Sequence, residues 1–380
     1  MQITKEFFEE ITEGKTKLQV PKKSLTDTVP PKEPAFFNPK AKLNRDFSIL
    51  AYGAFLKKFE GPKIFLEGLS GIGPRGLRVA NELAVEKVVI NDLNPSALEL
   101  AKFSANLNGL NNIEYSEKEI CRFFSNYSKK GNRGSIVDMD PFGSPAQFFD
   151  CGLRATMHGG IFSCTATDLQ VLNGLFQNAC KRKYGGVPIR TEYGNEIAIR
   201  LILGCLRSVS GRLGLEIIPL YVESNMHYYR TYVRVYNRPD QNENLGYVTH
   251  CKNCGHRKLE KERIEICEIC ESQNNVGGPL WIDKIFDKEF VEQMILKIPE
   301  LNVDKKCEKS LRKCLSESQI SGVYYTLDEI ASKMKASPPK LENAITKLQS
   351  NGFIASPTSF SPTGFRTDAN IKEIIKIFSD

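Results

Sequence analysis

Between residues 63 and 168, short apolar segments alternate with stretches of helical character, and this alternation admits few folds. Strands that alternate with helices predict a parallel, doubly wound α/β sheet. The five segments predicted to be strands are residues 63–68, 87–93, 113–117, 135–143 and 159–168.

Two further apolar segments, residues 216–223 and 229–236, lie close enough in the chain to pair as an antiparallel hairpin. A mostly parallel sheet closed by such a hairpin is typical of class I, Rossmann-like methyltransferases. The sheet of dehydrogenases, in contrast, is parallel throughout. The predicted fold class is therefore an α/β methyltransferase sheet with an antiparallel terminal hairpin.

A chain of 380 residues is longer than one hydrophobic core usually organises, so two or three domains are expected. We predict a basic, Pro-rich arm over residues 1–45 that is extended and packs on the catalytic domain. The catalytic domain follows over residues 46–240, and a cysteine-rich segment over residues 241–284. Residues 285–380 are predicted to be helical, with two helices and a β-wing that are typical of winged-helix domains.

The formal net charge of +7 is compatible with a polyanionic partner. Two runs are more basic than the rest: residues 14–45 carry eight basic and two acidic side chains, and residues 180–212 carry seven and two. Either run alone is explained by solvated surface, but together with the other nucleic-acid signals they favour contact with phosphates. The sequence shows no membrane span, no secretion signal and no sign of an obligate protein partner, which predicts a cytoplasmic protein.

The first predicted strand ends in a glycine-rich loop, residues 67–76, in which Gly71 lets a ligand approach the backbone. Asp92, at the end of the next strand, is placed to accept hydrogen bonds from ribose hydroxyls. This arrangement serves NAD, FAD and S-adenosylmethionine alike, and a glycine turn without a ligand is an alternative. Two details favour S-adenosylmethionine: Glu67 opens the loop as an acid does in methyltransferases, and Arg75 is suited to the methionine carboxylate.

The fourth predicted strand leaves Asp140 at its carboxyl end, followed by Pro141 and the aromatic ring of Phe142. An exocyclic base amine is a poor nucleophile, because its lone pair is delocalised into the ring. A carboxylate that accepts its N–H directs the lone pair at a methyl donor and stabilises the developing charge, while an aromatic ring stacks on the base. The alternative for Asp140 is an N-cap of the following helix.

Four cysteines form two Cys-x2-Cys pairs that are separated by twelve residues. Two such knuckles complete a tetrahedral Zn²⁺ site with no open position, which predicts a structural zinc ribbon. An iron–sulfur cluster and reduced core cysteines are the alternatives. The predicted ligands are Cys251, Cys254, Cys267 and Cys270.

The other seven cysteines lie mostly in apolar segments, Cys121, Cys164 and Cys205 among them. Thiols of a cytosolic protein stay reduced, so these side chains are expected to fill the core rather than to form disulfides.

Four short motifs together resemble the tRNA (guanine-N2-)-dimethyltransferases in their compact archaeal form, and the resemblance covers most of the chain. The Asp-Pro-Phe-Gly-Ser-Pro turn is specific, because other amine methyltransferases carry a second proline in place of Phe142. The resemblance implies S-adenosylmethionine and tRNA as cofactor and substrate, with N2-methyl- and N2,N2-dimethylguanosine as products at tRNA position twenty-six. The motifs are residues 36–39, 43–46, 138–145 and 165–168.

Carried onto matching positions, the resemblance implies that Arg45, Arg75 and Asp92 bind S-adenosylmethionine. It also implies that Asp140 is the catalytic carboxylate. The guanine is expected between two aromatic rings, Phe36 and Phe142. Members of the family usually show an Asp-Ala pair near the adenine, where this chain has Glu119 and Ile120.

Two other functions fit parts of the sequence. The glycine loop and Asp92 also suit an NAD-dependent oxidoreductase, but no histidine or tyrosine for hydride transfer is evident near a strand end. A non-catalytic nucleic-acid-binding protein would explain the zinc ribbon and winged helix, but it leaves Asp92 and Asp140 without a purpose.

Overall fold

The computed structural model describes residues 6–379, and no helix among them is long and apolar enough to cross a membrane. The strands are β1 (Phe8–Glu13), β2 (Thr16–Pro21), β3 (Ile64–Glu67), β4 (Lys87–Asn91), β5 (Ile113–Ser116), β6 (Gly134–Met139), β7 (Thr156–Ala166), β8 (Glu216–Asn225), β9 (Tyr228–Tyr236), β10 (Leu245–Cys251), β11 (Arg257–Glu260), β12 (Asn274–Trp281), β13 (Tyr325–Thr326), β14 (Ala355–Pro357) and β15 (Gly364–Thr367). The α-helices are α1 (Lys23–Thr26), α2 (Lys42–Lys58), α3 (Pro74–Glu82), α4 (Pro95–Leu107), α5 (Ile120–Ser125), α6 (Phe149–Ala155), α7 (Leu169–Leu172), α8 (Gln177–Tyr184), α9 (Gly194–Arg212), α10 (Lys288–Lys297), α11 (Lys305–Glu317), α12 (Leu327–Met334), α13 (Leu341–Ser350) and α14 (Ile371–Ser379).

A seven-stranded sheet with the order β5-β4-β3-β6-β7-β9-β8 forms the centre of the molecule. The first five strands of this order are parallel, and β9 and β8 pair antiparallel at the end of the sheet. Every residue of β6 is buried, as expected for a parallel strand that is covered on both faces. The predicted fold class is confirmed.

One edge of this sheet collects the carboxyl ends of the parallel strands, and we call it the ligand edge. Glu67, the last residue of β3, is paired with Ile90 of β4 and with Asp138 of β6. The glycine loop, Asp92 and Asp140 follow these three strand ends directly, so they meet at this edge. The turn between β8 and β9 reaches the same edge, because β8 and β7 are both antiparallel to β9.

The beginning of the chain is a packed hairpin, so the prediction of an extended arm is wrong for residues 8–21. β1 and β2 pair antiparallel, and Leu18 and Val20 are fully buried. The backbone N–H of Gln19 donates to the Ser104 hydroxyl of α4 at 2.9 Å. Alternating apolar residues in β2 give it one face that packs on the catalytic domain. Residues 27–38 do run without regular helix or strand, as proposed for the arm.

The cysteine-rich segment forms a small three-stranded sheet with the order β11-β10-β12. Its strand β12 packs against α9 of the catalytic domain. The ribbon therefore lies against the main fold and is not suspended on a linker.

The separate C-terminal domain begins later in the chain than the predicted boundary at residue 285. Val291 and Met294 of α10 and Leu311 of α11 belong to the core of the catalytic domain. A separate core begins at Tyr325 and is formed by helices α12 to α14 with the sheet β13-β15-β14. Helices α12 and α13 and the β14–β15 hairpin correspond to the two helices and the β-wing that the sequence indicates. The boundary moves because α10 and α11 bury apolar faces against the catalytic domain.

The structure joins Cys121 and Cys151 in a disulfide, which corrects the expectation that Cys121 is a reduced core thiol. The two residues lie on α5 and α6, which pack against each other and bring their Cα atoms within 5.4 Å. The sequence carries no signal that these two helices, whose cysteines are thirty residues apart, pack against each other. The five remaining cysteines outside the metal-binding pairs are buried thiols, as expected: Cys164, Cys180, Cys205, Cys307 and Cys314.

Candidate active site

A cavity of about 460 Å³ opens at the ligand edge of the sheet. It brings together the arm, the glycine loop, the strand ends after β4 and β6 and the β8–β9 turn. Ligands of open α/β sheets bind at this place. Of the residues predicted from the sequence, its lining includes Phe36, Arg45, Glu67, Gly71, Arg75, Asp92, Asp140 and Phe142.

Asp92 holds the glycine loop in place from the end of the neighbouring strand. One carboxylate oxygen accepts from the backbone N–H of Gly71 at 2.7 Å, and the other accepts from that of Asn94 at 2.9 Å. Burial raises the pKa of Asp92, and the backbone N–H groups oppose that shift. Gly71 has φ +55°, and a Cβ atom there would lie 3.0 Å from the Phe36 carbonyl oxygen. The loop therefore requires glycine at this position, and each carboxylate oxygen still has acceptor capacity for a ligand.

Glu67 is buried beside the glycine loop and holds one backbone N–H of that loop. Its carboxylate accepts from the backbone N–H of Gly76 at 3.0 Å. Burial raises its pKa to about 8, although Arg75 acts in the opposite direction. A Cβ atom on Gly76 would approach the Glu67 carboxylate to 2.5 Å, so the acid and this glycine fit each other.

Arg75 is buried at the centre of the site and links three side chains. Its two terminal nitrogens donate to Asp138 at 2.8 Å, to Asp140 at 2.7 Å and to the Asn44 amide oxygen at 2.6 Å. The Nε atom is buried without a hydrogen-bond partner within the described residues. Buried donors are normally paired, so an unpaired Nε on a side chain that lines the cavity is unusual.

Arg45 is also buried at the cavity, but the charge of its guanidinium is already paired. It donates to the two carboxylate oxygens of Glu13 at 2.7 and 2.5 Å and to the carbonyl oxygen of Asn38 at 3.1 Å. Glu13 ends β1 and was not predicted to have a part in the site. The hairpin thus neutralises a side chain that the sequence assigns to the cofactor.

Asp140 is a charged carboxylate that is open to the cavity. Its side chain is 32% exposed, and Arg75 donates to it. Burial opposes its ionisation, but Arg75 and Arg230 outweigh that effect and lower its pKa. The carboxylate can therefore accept hydrogen bonds from a substrate over a wide pH range.

Phe36 and Phe142 meet at the mouth of the cavity. Their ring centroids are 4.9 Å apart with an interplanar angle of 78°, and Phe142 is 66% exposed. The ammonium group of Lys32 lies 5.6 Å from the Phe142 centroid. Edge-to-face contact leaves no room for a base between the rings, so a base held between them requires them to separate.

Glu119 and Ile120 do not line the cavity. Glu119 is exposed and caps α5 by accepting from the backbone N–H of Arg122 at 3.0 Å. Ile120 is buried, and its side chain lies beside Gly68 of the glycine loop. A contact of either residue with a cofactor stays a prediction.

The β8–β9 hairpin contributes residues that the sequence analysis missed. His227 and Tyr228 line the cavity, and the Tyr228 hydroxyl donates to the buried carboxylate of Glu223. Arg230 is fully buried beneath the site. The signal that could have found it was an arginine in the middle of an otherwise apolar and aromatic strand, where a charge needs a buried partner.

The four cysteines of the two pairs converge in the ribbon. Their Sγ atoms all lie within 4.8 Å of one another, with Cys251 and Cys270 3.4 Å apart and Cys254 and Cys267 3.6 Å apart. Four thiolates about 2.3 Å from one ion in a tetrahedral arrangement require spacings of this size. The donor set and its geometry fit a structural zinc ion.

A parallel sheet that ends in an antiparallel hairpin and places its cavity over the strand ends is the fold of class I methyltransferases. Comparison with known proteins identifies the family. The chain belongs to the N2,N2-dimethylguanosine tRNA methyltransferase family, whose model matches residues 14–379.

Two relatives are named tRNA (guanine(26)-N(2))-dimethyltransferase. The protein of Methanosphaera stadtmanae is 32% identical and covers 97% of this chain and 96% of its own length. That of Methanosarcina barkeri is 34% identical and covers 98% and 99%. The solved structure of Trm1 from Pyrococcus horikoshii with S-adenosyl-L-methionine is 29% identical, covers 97% of this chain and 99% of its own, and has a TM-score of 0.85. These findings reject the oxidoreductase and the non-catalytic alternatives.

Proposed function

We propose that this protein transfers one or two methyl groups from S-adenosyl-L-methionine to the N2 amine of guanosine 26 in tRNA. The observation that carries the proposal is the ionised Asp140 beside Phe142, in the same cavity as the glycine loop and Asp92. Family membership and the names of the relatives support the substrate. The solved Pyrococcus structure, a complex with S-adenosyl-L-methionine, supports the cofactor.

The cofactor fits between the glycine loop and Arg75. We assign the ribose hydroxyls to Asp92, whose carboxylate keeps free acceptor capacity, and the methionine carboxylate to the guanidinium of Arg75, which lines the cavity. Arg45, paired with Glu13, remains a proposed contact on the same side. Glu119 and Ile120 lie beyond the cavity wall, so a contact with the adenine requires a shift of the α5 end.

Asp140 is proposed to orient and activate the base amine. Its carboxylate accepts an N–H of the N2 amine, which turns the nitrogen lone pair towards the cofactor and stabilises the positive charge that develops. S-adenosylmethionine supplies a methyl group on a sulfonium as the electrophile. A nitrogen–carbon bond forms, the sulfur–methyl bond breaks with its electron pair left on sulfur, and the amine then releases one proton by way of the Asp140 carboxylate to solvent.

The base reaches the cavity by leaving its stack in the tRNA, at a cost of about a few kcal/mol. Phe36 and Phe142 offset part of this cost when they separate and stack on the guanine, because base–aromatic stacking contributes about 1–3 kcal/mol per base. Lys32, above the Phe142 ring, is placed to meet the neighbouring phosphate.

Nucleoside analysis of tRNA tests the proposal directly. Unmodified tRNA that is incubated with the protein and S-adenosylmethionine should contain N2-methyl- and N2,N2-dimethylguanosine. A transcript with adenosine at position 26 should remain unmodified. Modification of both transcripts to the same extent would reject position 26, and modification of neither would reject the activity.

Replacing Asp92 by alanine should weaken the binding of S-adenosylmethionine by about 1.5–3 kcal/mol, because the variant cannot form charge-assisted hydrogen bonds to the ribose. Isothermal titration calorimetry measures the Kd. Glu86→Ala is the control, because Glu86 is an exposed acid just before β4, at the opposite end of the same strand from Asp92. An unchanged Kd for Asp92→Ala would place the ribose elsewhere.

Three exposed lysines on or beside α12 and α13, namely Lys335, Lys340 and Lys347, are proposed to contact the tRNA backbone. Their joint replacement by glutamine should weaken tRNA binding and lower the salt dependence of log K by about 0.9 for each phosphate that is no longer neutralised. Filter binding at several salt concentrations measures both quantities.

The matched control replaces Lys57, Lys129 and Lys130 by glutamine. These three exposed lysines precede β3 and β6, at the edge of the sheet opposite the site. Substitution is preferable to truncation, because Arg366 pairs with the buried Glu196 and Glu317, which a deletion would leave unpaired. Equal effects of the two triples would show that only net charge matters.

A further inference from the structure

Arg230 of β9 is a fully buried guanidinium with partners on every side. It forms an ion pair with Asp138 of β6, which is also fully buried, and it contacts the hydroxyls of Tyr52 and Tyr232, both at 2.9 Å or less. A buried charge that is held by an opposite charge and several hydrogen bonds has one orientation. Arg230 is therefore a rigid group beneath the floor of the cavity.

One nitrogen of Arg230 does not contribute to this cluster and is directed to the site. It donates to the hydroxyl of Thr165 at 2.6 Å. Thr165 lies near the end of β7 and lines the cavity beside Asp140. Cys164 pairs with Met139 in the register of β7 and β6, so the residues that follow them, Thr165 and Asp140, lie side by side. Because the Thr165 oxygen accepts from Arg230, its own hydrogen is free to be donated to the Asp140 carboxylate, whose pKa it lowers.

The groups around Asp140 together favour the ionised form of its carboxyl group. Burial acts against its ionisation, and Arg75, Arg230 and the Thr165 hydroxyl together reverse that effect. Arg75 comes from α3 on the cofactor side, and Arg230 comes from β9 on the opposite side. The titratable and charged groups around Asp140 from the packed elements and the β8–β9 turn are Glu67, Arg75, Asp138, Glu223, His227, Tyr228 and Arg230.

We propose that Arg230 is a positioning residue for methyl transfer, which acts through the Thr165 hydroxyl to hold the Asp140 carboxylate towards the base. Asp140 is then fixed from two sides. Arg75 is shared with the proposed cofactor site, whereas the pair Arg230 and Thr165 serves the acceptor side only. The inference rests on the proposed function of Asp140.

Thr165→Val and Thr165→Ser form the matched test, because valine keeps the shape of threonine and serine keeps the hydroxyl. The kcat for tRNA methylation and the KM for tRNA are measured at neutral pH with saturating S-adenosylmethionine. Thr165→Val should lower kcat about tenfold to a hundredfold, as expected when a hydrogen bond to a charged group is removed. The KM for tRNA should stay within about twofold of the wild type, because the hydroxyl acts on the Asp140 carboxylate during transfer and not on the bound tRNA. Thr165→Ser should stay within about twofold of the wild type.

Arg230→Lys and Arg230→Met extend the test to Arg230, which donates to the Thr165 hydroxyl. Lysine keeps the charge and should retain a higher kcat than methionine. The affinity for S-adenosylhomocysteine should remain within about threefold in every variant that folds, since these residues lie away from the proposed cofactor contacts.

Two outcomes would overturn the inference, and a third would contradict the proposed function. A Thr165→Val enzyme that matches Thr165→Ser overturns the inference. An increase in the KM for tRNA as large as the loss of kcat also overturns it, because a merely structural defect gives that result. A wild-type enzyme that does not methylate guanosine 26 contradicts the proposed function instead, and the wild-type control reveals this before any variant is compared.

Discussion

Asp140→Asn is expected to lower the kcat for tRNA methylation by about 10²–10⁴-fold, which is the usual contribution of a positioned acid–base group. Asparagine has the shape of the carboxylate but no charge, so it cannot stabilise the amine that becomes positive during transfer. Its NH2 group also cannot accept from Arg75, which donates to Asp140 at 2.7 Å. Single-turnover methylation with excess enzyme measures the chemical step.

The control for this variant is Asp150→Asn. Asp150 is 59% exposed on α6 and pairs only with the exposed Arg154 in the described structure. It should behave as the wild type. The Kd of S-adenosylhomocysteine should change by no more than about threefold in Asp140→Asn, because Asp140 faces the base. Retention of more than about a tenth of the wild-type turnover would contradict the role of Asp140.

Cys251→Ser is expected to abolish zinc binding and to destabilise the ribbon and the C-terminal domain together. Structural Zn²⁺ sites have apparent binding free energies of about 10–16 kcal/mol, and this energy is coupled to folding. Cys251 is fully buried at the end of β10. Elemental analysis should find one zinc per wild-type chain and none in the variant.

The ribbon is joined to the C-terminal domain through a buried arginine. The guanidinium of Arg257 lies 4.4 Å from the Tyr193 ring centroid and 4.2 Å from that of Tyr325, and it pairs with Glu329 of α12. Cys254 itself packs against the core of the C-terminal domain. Without the metal, amide hydrogen exchange should therefore increase both in residues 246–280 and in α12.

Cys205→Ser is the control for the zinc variant, because Cys205 is a buried thiol outside the cluster. It should keep the zinc and leave exchange in the ribbon unchanged. Iron in place of zinc, or full zinc content in Cys251→Ser, would reject the predicted site.

The central fold was predictable because its signals are local. The parallel strands are short apolar runs between helical segments, and β6 is buried at every residue. The glycine loop, Asp92 and Asp140 directly follow three of these strands. Parallel pairing brings such strand ends to one edge, so the pattern along the chain predicts that these residues meet. The two Cys-x2-Cys pairs are local in the same way, and their four thiols do converge.

The partners of the site residues depended on tertiary structure. Glu13 pairs with Arg45 from thirty-two positions away, and Arg230 pairs with Asp138 from ninety-two positions away. No spacing rule connects such residues, because the packing of a hairpin or of an added strand brings them together. The disulfide between Cys121 and Cys151 depends in the same way on two packed helices. The order of residues thus decided which side chains reach the ligand edge, while long-range packing decided which of them are neutralised, held in place or free to act.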